Sequence, residues 1–381
     1  AGTVAAVTTD STVSVASVGG IGLGGQIKVV LPSVGWGMPS NPVIEFATPS
    51  DVKATAVWTE GTDTLVITTT AGDVPEGSVV KLVVKDTVTP PSVTPSGTAS
   101  VETFDEASVN AIDAGTLTTS ATTAGALTNV SWVMSLNTPG VADTATLTKL
   151  VSGKVGGSAC IEIVLPEVAS AAHSWSMAAA AASRVVEFVE PRTKAGVAST
   201  TWSYENRTLL IVTDSSTSIT EGSKVVLRIR DLTTPSSVIG AAYTVTVTSY
   251  SSSTPDSTKI IDGPTSISGA AVPSGALTRG LWDMETDRPG EMSRLNMTFK
   301  TTGELKAGST IVLSLPHTLT SAHQRSWTMM NAAGSQTTAE QANPWVLDTS
   351  MPSVTCMVGG TSSVSVTTSW SRLSGVLNVT I

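Results

Sequence analysis

Residues 76–92 read "EGSVVKLVVKDTVTPPS", and residues 221–237 read "EGSKVVLRIRDLTTPSS". In the first stretch Val80, Leu82 and Val84 alternate with Lys81 and Lys85; in the second Val225, Leu227 and Ile229 alternate with Arg228 and Arg230. Successive side chains of a strand point to opposite faces, so this spacing predicts a strand with one buried and one wet face. An Asp and then a Thr-Pro or Pro-Pro turn follows each strand. Working outward, each copy is preceded by a Trp with a fixed sequel, W-x6-L-x-(I/V): Trp58 before Leu65 and Ile67, Trp202 before Leu209 and Ile211, and a third time Trp370 before Leu377 and Val379.

Further upstream lies a strand ending in Leu-Pro, again in triplicate: "GGQIKVVLP" to Pro32, "GSACIEIVLP" to Pro166 and "GSTIVLSLP" to Pro316. "GALTNVSWVMSLNTPG" from Gly125 matches "GALTRGLWDMETDRPG" from Gly275, about 150 residues apart. Self-similarity at a fixed period marks a tandem array. A closing strand follows the central one in "GTASVETFD" from Gly97 and "AYTVTVTSY" from Ala242. Seven or so short strands per unit, punctuated by Gly, Pro and Ser, predict an immunoglobulin-like sandwich. The expected fold class is all-β, with three tandem immunoglobulin-like β-sandwich domains at residues 11–110, 120–255 and 270–381, the last lacking its closing strands.

The succession of "IVLP" strand, Trp, W-x6-L-x-I, "EGS" strand and "TTPSS" resembles the tandem immunoglobulin-like repeats of large secreted surface and fibre proteins of microalgae. The resemblance spans most of the chain and also extends to protomers of glycan-coated extracellular fibrils. It implies an extracellular, glycosylated β-rod and no particular chemistry.

Composition agrees with many strands and few helices: 381 residues with 4% aromatic and 13% charged residues, rich in Val, Thr, Ser, Ala and Gly. A net charge of −9 without a basic cluster argues against nucleic acid or an anionic membrane surface as partner. No run approaches the roughly 18 apolar residues of a membrane-spanning helix. The first residue is Ala, which fits a removed secretory signal, and Asn-X-Ser/Thr sequons at Asn129, Asn206, Asn296 and Asn378 point the same way. Asn206 is expected in a hairpin turn, and Asn378, between Leu377 and Val379, is expected to point outward. The Ser/Thr/Pro runs from Thr87 and Ser251 suit turns or O-linked sugars.

Candidate chemistry is sparse. His173, His317 and His323 are the only histidines, and no nucleophile elbow, zinc-helix motif or phosphate loop occurs. "GGIGLGG" at 19–25 precedes a strand and reads as a turn. Asp283, Glu285, Asp287 and Glu291 form an acidic loop that either stays solvated or holds Ca²⁺. Cys160 and Cys356 fall in different domains, where each reads as a small buried hydrophobe or as half of an inter-domain bridge. No enzyme and no cofactor is expected beyond covalent glycans.

The third copy stops after its Trp strand, while the opening "AGTVAAVTTD" shares Gly2, Thr3, Thr8 and Asp10 with the closing strand "SGTASVETFD". The sequence therefore predicts that residues 1–10, through Gly2, Thr3, Val4, Val7 and Thr8, act as a donor-type strand for a neighbouring copy, giving a head-to-tail homopolymer. The rival expectation is a cell-surface adhesin or carbohydrate-binding ectodomain using exposed tryptophans.

Overall fold

The computed structural model describes residues 3–106, 109–168, 174–177, 186–240, 243–286, 293–315, 327–330, 336–339, 354–358, 362–371 and 376–381. Among them the chain is all β apart from one 3-10 turn at Glu60–Thr62. It divides into two compact units, Ala1–Ser274 and Gly275–Ile381. The first unit holds two immunoglobulin-like sandwiches; the second holds the third repeat.

After the short β1 (Thr3–Val4), the first sandwich comprises β2 (Thr8–Ala16), β3 (Gln26–Val30), β4 (Ile44–Thr48), β5 (Lys53–Thr59), β6 (Thr64–Ala71), β7 (Val79–Val88), β8 (Gly97–Phe104) and β9 (Ala111–Thr119). One sheet runs β2-β7-β4 and the other β5-β6-β3-β8-β9. The repeat's "EGS" strand is β7, the middle of the smaller sheet. Its Val80, Leu82 and Val84 are at most 1% exposed and meet Ile27, Leu65, Ile67 and Val101 of the facing sheet. Trp58 and Leu65 are opposite each other in the β5–β6 hairpin, which explains the six-residue gap in the sequence motif. Burying each such aliphatic side chain contributes about 1.5–3 kcal/mol, so alternation alone commits these strands to one register.

After β10 (Thr122–Thr123), the second sandwich repeats the plan with β11 (Thr128–Met134), β12 (Ala142–Leu150), β13 (Cys160–Val164), β14 (Ser176–Met177), β15 (Val186–Glu190), β16 (Val197–Ser203), β17 (Thr208–Thr213), β18 (Lys224–Thr233), β19 (Tyr243–Tyr250) and β20 (Ile260–Gly269). Its sheets run β11-β12-β18-β14, with β15 also on β18, and β16-β17-β13-β19-β20. Trp132, Trp175 and Trp202 are all at least nine-tenths buried, and Trp175 meets Tyr243 edge-on at 5.4 Å. The two sandwiches share backbone peculiarities: Asp86 (φ 55) and Asp231 (φ 57) occupy the left-handed region at equivalent bulges of β7 and β18.

Sandwich boundaries differ from those the sequence suggested. The first sandwich begins at β2, inside 1–10, and continues past 110 into β9; the second continues past 255 into β20. These strands follow the supposed closing strands and extend the sheet by one. β9 is an edge strand: Ala114, Gly115 and Thr116 are exposed, while Asp113 is half-buried and Ile112 and Leu117 pack against the first core.

The second unit contains β21 (Thr278–Met284) paired with β22 (Leu295–Lys300), the sheet β23-β29-β28 (Thr310–Ser314, Val376–Thr380, Thr367–Ser371), and the pairs β24–β25 (Trp327–Met330, Gln336–Ala339) and β26–β27 (Cys356–Val358, Ser362–Val364). Trp282 is opposite Met297 as Trp132 is opposite Leu147, and Trp370 is opposite Leu377 as Trp202 is opposite Leu209. By these registers β22 and β23 correspond to β12 and β13. The second sandwich places β18 beside β12 and β19 beside β13; among the described residues nothing occupies those places beside β22 and β23. Leu281 (60% exposed) and Trp282 (40%) remain in solvent, whereas Leu377 and Val379 are buried.

Candidate functional site

The opening segment does not stand free as a donor strand. Thr3 and Val4 pair in parallel with Thr122 and Thr123, and the Ala5 amide donates to the Thr123 carbonyl at 3.0 Å. The Ala6 amide donates to Pro90 O (2.7 Å), and Ala6 O accepts from the Lys154 amide (2.8 Å), linking the first sandwich to the second. Thr89 closes the arrangement. Its hydroxyl donates to Val4 O (2.6 Å) and accepts from the Val7 amide (2.9 Å), while its own amide donates to Val7 O (3.0 Å). The Thr8 amide donates to Glu221 Oε2 at 2.6 Å, and Thr8 then opens β2. Gly2 lies outside the described residues.

A second copy of the same clamp lies in the second sandwich. The Val141 amide donates to the Thr234 hydroxyl (3.1 Å), the Thr234 amide to Val141 O (3.0 Å), and the Gly140 amide to Pro235 O (2.9 Å). Residues 1–10 thus correspond to the lead-in to β12, not to a closing strand. Ala6 (φ 55) adopts the left-handed conformation that Gly140 (φ 66) takes in the second copy. Ala5 and Ala6 are 0% and 5% exposed, and Ala6 joins the core of the second sandwich. Gly153 makes room for them, since a Cβ there would meet Ala5 O at 2.5 Å and Ile261 Cγ2 at 2.7 Å. A further backbone bond, Val93 N–H to Ile260 O (3.0 Å), ties the first sandwich to the second.

Close to this junction lies a polar group inside the second core that the sequence reading overlooked. Lys149 faces inward from β12, fully buried, and its ammonium donates to Ser249 Oγ at 2.6 Å. Ser249 is opposite Asp262 in the β19–β20 ladder. Asp262 Oδ1 accepts from the Ser152 and Gly153 amides at 3.2 Å each, while Oδ2 is buried without a partner. Burial pushes Lys149 down to about 8 against the pull of Asp262, and burial raises Asp262 against the pull of Lys149 and the two amides. In the first sandwich Val15 replaces Lys149. There Asp113 caps the equivalent turn: burial acts to raise it, but Ser17 Oγ, the Gly19 and Val18 amides and Thr103 hold it below its ordinary value. The inward period-two slot after Ala145 and Leu147 was the legible signal for Lys149.

The four sequons are placed as follows. Asn129 is exposed at the bulge of β11 with φ 49, and Asn206 is exposed in the turn between β16 and β17. Asn296 is exposed on β22. Asn378, between the buried Leu377 and Val379 on β29, is half-buried and donates from Nδ2 to Ser369 Oγ at 3.4 Å. Cys160 is buried and its thiol is pushed up to about 12 by burial, with Glu162 adding; Cys356 is half-buried, and both are free. His173, His317, His323, Asp287 and Glu291 lie outside the described residues. Among those described, no cluster of three metal-ligating side chains occurs, and no helix is long and apolar enough to cross a membrane.

Neither a family model nor a curated protein matches the chain. Solved structures superpose in part. The C-terminal domain of the AgI/II polypeptide BspA of Streptococcus agalactiae is 10% identical and covers 72% of this chain and 94% of its own (TM-score 0.24). The serine-rich repeat protein Srr2 of the same organism is 12% identical over 69% and 83% (0.21). The type II cohesin dyad from the adaptor ScaA scaffoldin of Acetivibrio cellulolyticus is 11% identical over 70% and 95% (0.18).

Proposed function

We propose that this chain is a non-enzymatic structural subunit of a secreted, glycosylated extracellular filament, built by head-to-tail pairing of sheet edges between copies. The observation that carries this reading is the pair of open edges. β2 ends its sheet, whereas its counterpart β12 is covered by β11; and among the described residues β22 and β23 lack the neighbours that β12 and β13 have in β18 and β19. Unpaired N–H and C=O groups on an edge strand template the addition of another strand. An edge at the first sandwich and others at the third give a heterologous contact, which propagates instead of closing. The locked junction between the first two sandwiches supports a load-bearing role, because strain along the chain meets a ladder of backbone bonds and a buried segment before any core opens. Thr3–Val7 are held in the junction and β2 begins at Thr8, so this reading places assembly on the sheet edges.

Negative-stain microscopy of the glycosylated chain, alone and as T12K/S14K, tests this. Thr12 and Ser14 are exposed on β2, and lysines there oppose edge pairing without touching the core. Long uniform fibres from the native chain and monodisperse particles from the variant are expected. Monodisperse native protein at high concentration overturns the proposal.

A further inference from the structure

We infer that the first sandwich carries a binding groove for a basic peptide side chain, a guanidinium above all, at the place where the second sandwich closes the same groove with its own residues. The two sandwiches share a W-x-M segment, Trp36–Met38 and Trp175–Met177. In the second sandwich that segment is shut. Trp175 and Met177 are 0% and 1% exposed, Tyr204 lays its hydroxyl on Met177 O at 3.0 Å, and Arg207 lies 3.9 Å from Glu167.

Alignment on the shared Trp and Leu (Trp58 with Trp202, Leu65 with Leu209) puts Glu60 in the place of Tyr204 and Asp63 in the place of Arg207. A lid and a cation are thereby exchanged for two carboxylates. The result is an open groove of about 790 Å³ whose lining includes Trp36, Met38, Glu60, Asp63 and Asp86. Asp63 is itself 93% buried by exposure of 7%. Among the described residues no lysine or arginine lines the groove, and Asp63 Oδ2 accepts from the Ser33 hydroxyl. The size falls in the range of small-ligand clefts. A lining that offers both an aromatic ring and carboxylates suits a planar cation, which stacks on rings and meets oxygens with its N–H fork. The carboxylates Glu60, Asp63 and Asp86 among the lining residues favour a cationic side chain over a neutral sugar.

The test follows the tryptophan indole signals of the full-length, ¹⁵N-labelled chain, the Trp36 signal being assigned with W36F, during titration with acetyl-Gly-Arg-Gly-amide, its citrulline analogue and a glucosamine oligomer. The arginine peptide should shift the Trp36 signal saturably, the neutral citrulline peptide at least tenfold more weakly, and the oligomer more weakly than the arginine peptide. E60Y/D63R, which installs the second sandwich's residues, should abolish the shift while the Trp132 and Trp202 signals stay in place. The milder E60Q should weaken binding about threefold, so the inference stays testable if the double variant misfolds. Absence of saturation, equal binding of the citrulline peptide, or a preference for the glucosamine oligomer overturns it.

Discussion

The buried Lys149 makes the stability of the second sandwich depend on alkaline pH in a calculable way. Its pKa is about 8 in the fold against 10.5 as a free side chain, a difference of 2.5 units, or about 3.4 kcal/mol at 1.36 kcal/mol per unit. Because the folded value is depressed for a base, the unfolded chain binds the extra proton between these values, and stability rises with pH across that window. Between pH 7 and pH 9 the gain is about 1.3 kcal/mol by the same linkage relation. Cys160 acts in the opposite sense, since its folded value near 12 exceeds 9.0 and stability falls with pH once the unfolded thiol ionises. Urea unfolding of the second sandwich at pH 7, 8 and 9, followed through Trp175 and Trp202, measures the slope. Lys149→Met removes the titrating amine and leaves Cys160 untouched, so its curve should be flat or falling over the same range. An equal rise in both proteins refutes the buried-charge argument, as does a flat wild-type curve.

Four shorter tests address the junction and the surface. Gly153→Ala drives a methyl into Ala5 O and Ile261, and should cost about 1–3 kcal/mol and release the opening segment to proteolysis; an uncut segment counts against the close packing. Thr89→Val removes the hydroxyl that joins Val4 O to the Val7 amide, with an expected loss of about 1–3 kcal/mol by thermal unfolding. Trp58→Ala, at a side chain 6% exposed, should cost about 3–5 kcal/mol in the first sandwich alone. Secreted protein should exceed the bare 38.8 kDa chain mass and lose the excess on glycosidase treatment, with Asn206 the most fully occupied site; an unchanged mass refutes glycosylation.

Much of the fold was legible because this sequence repeats itself. Alternation in 79–88 and 224–233 put the right residues on the core face, and three copies of W-x6-L-x-(I/V) located the β5–β6, β16–β17 and β28–β29 hairpins. What escaped reading was whatever breaks alternation or borrows from a distant segment. β9 buries only Ile112 and Leu117 in part against the first core, and its other residues are Ala, Asp, Gly and Thr, too weak an alternation to announce a strand. The pairing of Thr3 and Val4 with Thr122 and Thr123 left no such trace either. The Gly, Thr and Asp that the opening segment shares with the closing strand are common turn and ladder residues, whereas its true counterpart is marked by a left-handed Ala6 standing where the second copy has Gly140.

The exchanges between repeats also explain how one scaffold serves several roles. Val15 against Lys149 changes a dry core into one with a buried charge, and Glu60 and Asp63 against Tyr204 and Arg207 open a groove that its twin keeps shut. Neither exchange disturbs the ladder: β5 pairs with β6 and β16 with β17 in the same Trp–Leu register. The backbone plan therefore tolerates a reversal of charge at the turn after the tryptophan strand, where Arg207 faces Glu167 in one copy and Asp63 accepts from Ser33 in the other. Variation confined to such positions alters what a sandwich binds while leaving its mechanical connection to the next one intact, and the E60Y/D63R variant separates these two properties. It should lose the Trp36 response and yet assemble as the native chain does. If assembly fails together with binding while the Trp132 and Trp202 signals remain in place, the groove belongs to the assembling surface, and the independence of turn and edge argued here is wrong.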